Sequence, residues 1–170
     1  MIQGNGGGTG RPGVGINRAP GRRLLGLNDI NTSSGKGVEV NQGTLFQGVG
    51  DFNLTPEFDT ITSNGYSGIS AWNGSSLDIQ KVSGSNNGRN GIWVGFHSTM
   101  RILGSSISRN SSIWTAVYIY EGSAVYLDTP AATIMNSDGL ALFCADNESS
   151  FAGDISGMDP LSWSCSNFSY

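Results

Sequence analysis

The chain has 170 residues, 26 of them glycine, with only 13% charged side chains and a formal net charge of −4. That length fits one compact domain, and 37% apolar residues with seven Phe, five Tyr and four Trp are too many for a disordered chain. There is no G-X-Y period of the collagen kind, no apolar run near the ~18 residues of a membrane helix, and no signal-peptide core at the start, so the sequence predicts a soluble all-β fold.

Residues 1–28 are glycine-rich and carry Arg11, Arg18, Arg22 and Arg23 without an acid, whereas residues 29–170 carry five basic and thirteen acidic side chains. The split predicts an arm and a body with different partners. An acidic body argues against nucleic acid, because phosphate contacts need Lys or Arg. A glycine-rich segment cannot order itself, since fixing each residue costs ~1–2 kcal/mol. The expectation is an extended basic anchoring arm over residues 1–28. A neighbouring subunit or larger assembly would hold it, with Ile16, Leu24, Leu25 and Leu27 as apolar anchors and the four arginines as polar ones.

Residues 29–63 read as an irregular first coil or connector, where Val38-Glu39-Val40 and Thr44-Leu45-Phe46 flank Asn41-Gln42-Gly43. From residue 64 two marks recur. Asn64, Asn87, Asn110 and Asn136 are spaced by 23, 23 and 26 residues, and Ser75, Ser98, Ser123 and Ser149 by 23, 25 and 26. Each serine is followed two residues later by Leu77, Met100, Val125 or Phe151. Between the marks lie alternating runs such as Ile92-Trp93-Val94 and Val117-Tyr118-Ile119, the period-2 signature of strands.

A unit of this size with two or three short strands and no helix cannot bury its own core. Stacked about 4.8 Å apart, such units share one. In this repeat the sequence resembles the right-handed parallel β-helix proteins of phage tailspikes and virion proteins and of pectate-lyase-like enzymes. The resemblance covers residues 64–158 and implies about four to five coils; an antiparallel jelly roll or sandwich is the alternative. Residues 159–170, in the apolar stretch with Leu161, Trp163, Phe168 and Tyr170, are expected to cap one end. Trp114, Tyr118 and Tyr120 are expected in the core, with a place between subunits as the other reading.

Little catalytic chemistry is visible. Cys144 and Cys165, 21 residues apart, could meet across one coil, but the sequence favours reduced thiols. Two cysteines with the lone His97 make no zinc site. Asp78, Asp128, Asp138, Asp146, Glu148 and Asp154 are expected at different coil positions, with no acid pair stacked one coil apart. No cofactor, metal or catalytic residue is expected. The β-helix resemblance, taken with the basic arm, implies a non-enzymatic virion structural protein on the outer surface of a capsid or tail. The first reading is a homotrimeric capsid decoration (cement) protein that grips the major capsid protein or another virion protein through its arm, without nucleic acid or membrane. The alternatives are a tail fibre or tailspike component binding host glycans, and a polysaccharide-acting β-helix enzyme.

Overall fold

The computed structural model describes residues 2–3, 13–17, 22–24, 29–31, 33–42, 45–48, 59–108, 114–129, 133–134, 141–156, 158, 163–165 and 167–169. In chain order the strands are β1 (Ile2–Gln3), β2 (Val14–Asn17), β3 (Arg22–Leu24), β4 (Asp29–Asn31), β5 (Val38–Asn41) and β6 (Leu45–Gly48). Then come β7 (Asp59–Thr62), β8 (Ile69–Ala71), β9 (Ser76–Gln80), β10 (Val82–Ser85), β11 (Ile92–Val94) and β12 (Thr99–Leu103). They are followed by β13 (Ser106–Ile107), β14 (Val117–Ile119), β15 (Ala124–Asp128), β16 (Thr133–Ile134), β17 (Leu142–Cys144) and β18 (Ser150–Gly153). The last two are β19 (Trp163–Ser164) and β20 (Asn167–Ser169).

As far as β18 every third strand pairs in parallel, and β19 and β20 pair with β17 and β18, which sorts the strands into three sheets: β1-β4-β7-β10-β13-β16, then β19-β17-β14-β11-β8-β5-β2, then β20-β18-β15-β12-β9-β6-β3. The result is an all-β parallel solenoid. About four turns run from β7 to β18, and no helix occurs among the described residues. The jelly-roll alternative, which needs antiparallel pairs, is excluded by this topology.

The interior is built from stacked like residues. Leu77, Met100, Val125 and Phe151 stand opposite one another in the third sheet and are buried, as the repeat predicts. Ile30, Ile61, Ile107 and Ile134 form the matching row of the first sheet, with Gly84 at one level. At Gly84 the Ile107 Cδ1 occupies the space beside the missing side chain.

Corners carry polar rows that replace the broken ladder. The backbone N–H of Ser75 donates to Ser98 Oγ at 3.1 Å, that of Ser98 to Ser123 Oγ at 3.1 Å, and that of Ser123 to Ser149 Oγ at 3.4 Å. At another corner Asn64 donates from both its backbone N–H and its Nδ2 to Asn87 Oδ1, at 3.1 and 2.9 Å. Buried backbone groups left without a strand partner are costly, and these side chains satisfy them. Asn110 and Asn136 lie outside the described residues. One corner bends through single left-handed residues, Lys81 and Gly104 at φ 47° and 45°.

Three sequence expectations need correction. Within residues 1–28 the described stretches are strands of the solenoid rather than an extended arm: β2 pairs with β5 and β3 with β6. The next coil supplies the partner that the glycine-rich segment lacks in itself. Residues 29–63 hold the coil of β4, β5 and β6 and also β7, the first strand of the next, and residues 159–170 add β19 and β20 to two sheets, with Phe168 opposite Phe151. Leu161 and Tyr170 lie outside the described residues. Finally, Cys144 and Cys165 are joined as a disulfide with Cα atoms 4.8 Å apart, against the expectation of free thiols. The register pairing Phe143 with Ser164 sets the next residues, the two cysteines, opposite each other.

Candidate functional site

Inward positions on the second sheet are taken by Ile92, Val94, Val117, Ile119 and Leu142, so the residues between them face out. The register aligns Ser70, Trp93, Tyr118 and Phe143 in one outward row. Trp72, Phe96 and Tyr120, just past the strand ends, join them. The ring centroids of Trp72 and Trp93 are 4.4 Å apart, those of Phe96 and Tyr120 5.2 Å, and those of Tyr118 and Phe143 5.8 Å. Lys36 Nζ lies 4.3 Å from the centre of the Trp72 ring. This continuous aromatic face is half-buried by its own rings, which corrects the assignment of Tyr118 and Tyr120 to the core: the strand period sends Val117 and Ile119 inward and these two out. Burial pushes both phenols above their ordinary pKa, helped at Tyr120 by Glu121 and at Tyr118 by Asp146. Both therefore stay neutral donors over the physiological range. Trp114 is elsewhere and half-buried rather than in the core: the Arg89 guanidinium lies 5.3 Å from its ring centre and 4.3 Å from that of Tyr66.

The third sheet presents a different outer face. Asp78, Arg101 and Tyr126 share one row. Arg101 donates from Nε to Asp128 Oδ2 at 2.8 Å, with Nη2 on the same oxygen, and its Nη1 lies 3.5 Å from Asp78 Oδ2. The hydrogen bond to Asp128 raises the guanidinium's pKa, while that bond and the Thr129 N–H hold the Asp128 carboxyl below its usual range. A groove of about 350 Å³ runs over this row.

The remaining predicted candidates do not converge with these. His97 is exposed at a left-handed corner position, φ 57°, with its N–H donating to the Glu121 carbonyl. The Asp146 carboxylate is occupied by its own corner, accepting from the backbone N–H groups of Glu121, Glu148 and Ser149. Asp154 accepts from the Ser156 N–H, and it follows Gly153, which pairs with Leu127, so Asp128 and Asp154 stand on adjacent coils, against the expectation that no acid pair stacks one coil apart; Asp138 lies outside the described residues. Among the described residues no three His, Cys, Asp or Glu side chains converge where a metal could sit.

Three parallel sheets, one strand of each per turn and stacked like residues, are the architecture that a family model for the right handed beta helix region describes, and that model matches residues 2–154. The chain belongs to this family. No curated protein and no solved structure matches it. The family match begins at residue 2, in agreement with the β-helix strands found within residues 1–28. Of the predicted anchors, Ile16 lies in β2 and Arg22, Arg23 and Leu24 in β3, the terminal strands of two sheets of the β-helix. Arg11, Arg18, Leu25 and Leu27 lie outside the described residues. Sequence reasoning passed over Arg101, although Asp78, Arg101 and Tyr126 recur at the same spacing as the serines, 23 and then 25 residues.

Proposed function

We propose that this β-helix is a non-enzymatic structural component of a virion, a capsid decoration protein that works as a homotrimer on the outer surface of the shell. The observation that carries the reading is the aromatic face. Trp72, Trp93, Phe96, Tyr118, Tyr120 and Phe143 form one patch on one side of the solenoid. Aromatic residues are enriched where protein subunits meet, and large apolar patches mark such sites. In the trimer this face of each copy packs against its neighbours. The non-catalytic part of the reading is supported by Arg101, whose guanidinium is engaged by Asp128 and flanked by Asp78, so the pair that could do acid–base work neutralises itself.

Attachment to the major capsid protein is assigned to the N-terminal end. Residues 1–28 carry four arginines and no acid, and they supply the last strand of each sheet at that end. The outer edge of a terminal strand is where a partner protein's backbone can pair. Light scattering of the purified chain at micromolar concentration is expected to give a trimer mass, and Tyr118→Ser with Phe143→Ser a monomer of unchanged circular dichroism. In cells producing the protein, antibody against it is expected to label the outer surface of assembled particles. A monomeric wild type, or label confined to non-particulate fractions, overturns the proposal.

A further inference from the structure

Four Asn-Gly pairs lie among the described residues: Asn64-Gly65, Asn73-Gly74, Asn87-Gly88 and Asn90-Gly91; Asn5-Gly6 lies outside them. This dipeptide can modify itself, because glycine has no side chain to shield its backbone nitrogen from the asparagine amide. The four pairs share one chemistry, so only their surroundings can tell them apart. We infer that Asn73 is a site of spontaneous intramolecular deamidation in the folded chain, and that the solenoid protects the other three.

In this reaction the Gly74 nitrogen gives its proton to water or hydroxide and attacks Asn73 Cγ. The new N–Cγ bond closes a cyclic imide, the Cγ–Nδ2 bond breaks, and Nδ2 leaves as ammonia. Water then opens the ring at either carbonyl. One opening gives aspartate with the original backbone, and the other gives isoaspartate, whose backbone runs through Cγ. In sum an amide and a water become a carboxylate and an ammonium ion, with no oxidant, metal or enzyme.

At Asn64 and Asn87 the attack is blocked on both sides. These residues are 2% and 0% exposed. Asn64 Nδ2 donates to the Ile30 carbonyl at 3.2 Å and to Asn87 Oδ1 at 2.9 Å, and its Oδ1 accepts from the Ser33 N–H at 3.1 Å. Asn87 Nδ2 donates to the Ile61 carbonyl at 3.1 Å. Their glycines are pressed against the preceding coil: a Cβ on Gly65 would meet the Ser34 carbonyl oxygen at 2.5 Å, and one on Gly88 that of Gly65 at 2.4 Å. Asn90 is also buried, with Nδ2 donating to the Thr115 carbonyl and hydroxyl at 3.1 and 2.9 Å. Turning any of these amides toward the next nitrogen would strand buried polar groups, which is costly.

Asn73 and Gly74 stand outside this packing. Both are exposed at the corner between β8 and β9, in successive left-handed conformations with φ 53° and 71°. A Cβ on Gly74 would meet nothing within 4 Å. The Asn73 amide donates through one exposed bond, from Nδ2 to Asn41 Oδ1 at 2.8 Å, and the Gly74 N–H donates to the Phe96 carbonyl at 2.9 Å. Opening these two bonds frees the reacting groups at the surface, and such local openings are the least costly in a fold. The product puts a carboxylate in place of the donor to Asn41 and adds a negative charge beside Trp72, at the edge of the aromatic face.

The test follows the full chain by peptide mapping and mass spectrometry during storage at neutral and at mildly alkaline pH, with isoaspartate counted by an isoaspartyl methyltransferase. Conversion at Asn73 is expected to be at least about tenfold faster than at Asn64, Asn87 or Asn90. Its rate should rise with pH, because the attacking nitrogen must lose a proton. In urea, where no fold shields them, the four sites should react at similar rates. Asn73→Gln should abolish the fast component, since glutamine must close a larger ring, and leave the circular dichroism unchanged. Comparable rates at all four sites in the folded chain, or a buried site ahead of Asn73, overturns the inference. So does an unmodified Asn73 in the folded chain once the urea-unfolded chain has been converted. The inference is independent of the virion reading, because it concerns the chain by itself and needs no partner.

Discussion

Asp146 shows how one carboxylate ties a corner of this solenoid together. Its Oδ1 accepts from the N–H groups of Glu148 and Ser149 at 2.9 and 2.7 Å, and its Oδ2 from the Ser149 hydroxyl at 3.0 Å and from the Glu121 N–H of the preceding coil. Burial alone would push this carboxyl up, but the hydrogen bonds from Ser149, Glu121 and Glu148 outweigh it and hold the pKa below the ordinary value. Asp128 is lowered as well, by Arg101 and Thr129. A carboxyl with a folded pKa below its unfolded one contributes stability that is fully present above the ordinary carboxylate range. That stability is lost as pH falls through the folded value. The urea midpoint is therefore expected to be level near neutrality and to fall steeply once the pH drops below the usual carboxylate pKa. Asp146→Asn should lower the neutral midpoint, by about 1 kcal/mol, and flatten the acid slope. An acid slope identical to wild type would show that this corner does not carry the effect.

Within the strands, one row of side chains faces the shared interior and the other does not, and single substitutions should respect that division. Met100 is buried between Leu77 and Val125. Met100→Asp is expected to cost roughly 4 kcal/mol or more in chemical denaturation, because an unpaired charge enters the core, whereas Met100→Leu should cost less than about 1.5 kcal/mol. Equal losses would place Met100 outside the core. On the outer side Gly95 lies under the Tyr120 ring, and a Cβ there would fall inside the ring's contact distance. Gly95→Ala should displace that ring, change Trp72 and Trp93 fluorescence and cost ~1–3 kcal/mol. Tyr120→Ala in the same chain should recover most of that loss, and a purely additive double variant would refute the contact. The interior row was readable in the sequence, since Leu77, Met100, Val125 and Phe151 hold a nearly constant spacing set by the length of a coil. The first coils were not, because paired residues Val38 and Ile69 are 31 apart, about eight more than the 23 between Ile69 and Ile92. The extra length lies between β6 and β7 and breaks the period there. Val14 and Val38 are only 24 apart, so the match of Val14-Gly15-Ile16 to Val38-Glu39-Val40 was available as the signal for a coil within residues 1–28. The groove of Asp78 and Arg101 was hidden for another reason: an ion pair across coils joins residues of opposite charge, and a search for stacked acids passes over it.

At the scale of the whole molecule each coil touches only its neighbours, so stability is expected to be a sum of local terms with the weakest links at the ends. The Cys144–Cys165 disulfide acts beside β19 and β20, the last described strands of the second and third sheets. Pairing there is short: two residue pairs join β17 to β19 and three join β18 to β20, against five between β12 and β15. The bridge closes a loop with a sequence separation of 21, for which the chain-entropy estimate is about 3 kcal/mol. Cys165→Ser, or reduction of the wild type, should therefore release residues 163–169 first. Amide exchange is expected to rise sharply in β19 and β20, less in β17 and β18, and hardly at all in β8, β9, β11 and β12. The freed end would expose the strand edges of β17 and β18, so the reduced protein should also associate more readily at high concentration. Protection lost evenly through all coils would mean that the solenoid unfolds as one cooperative unit, with the disulfide securing the whole rather than its last turn.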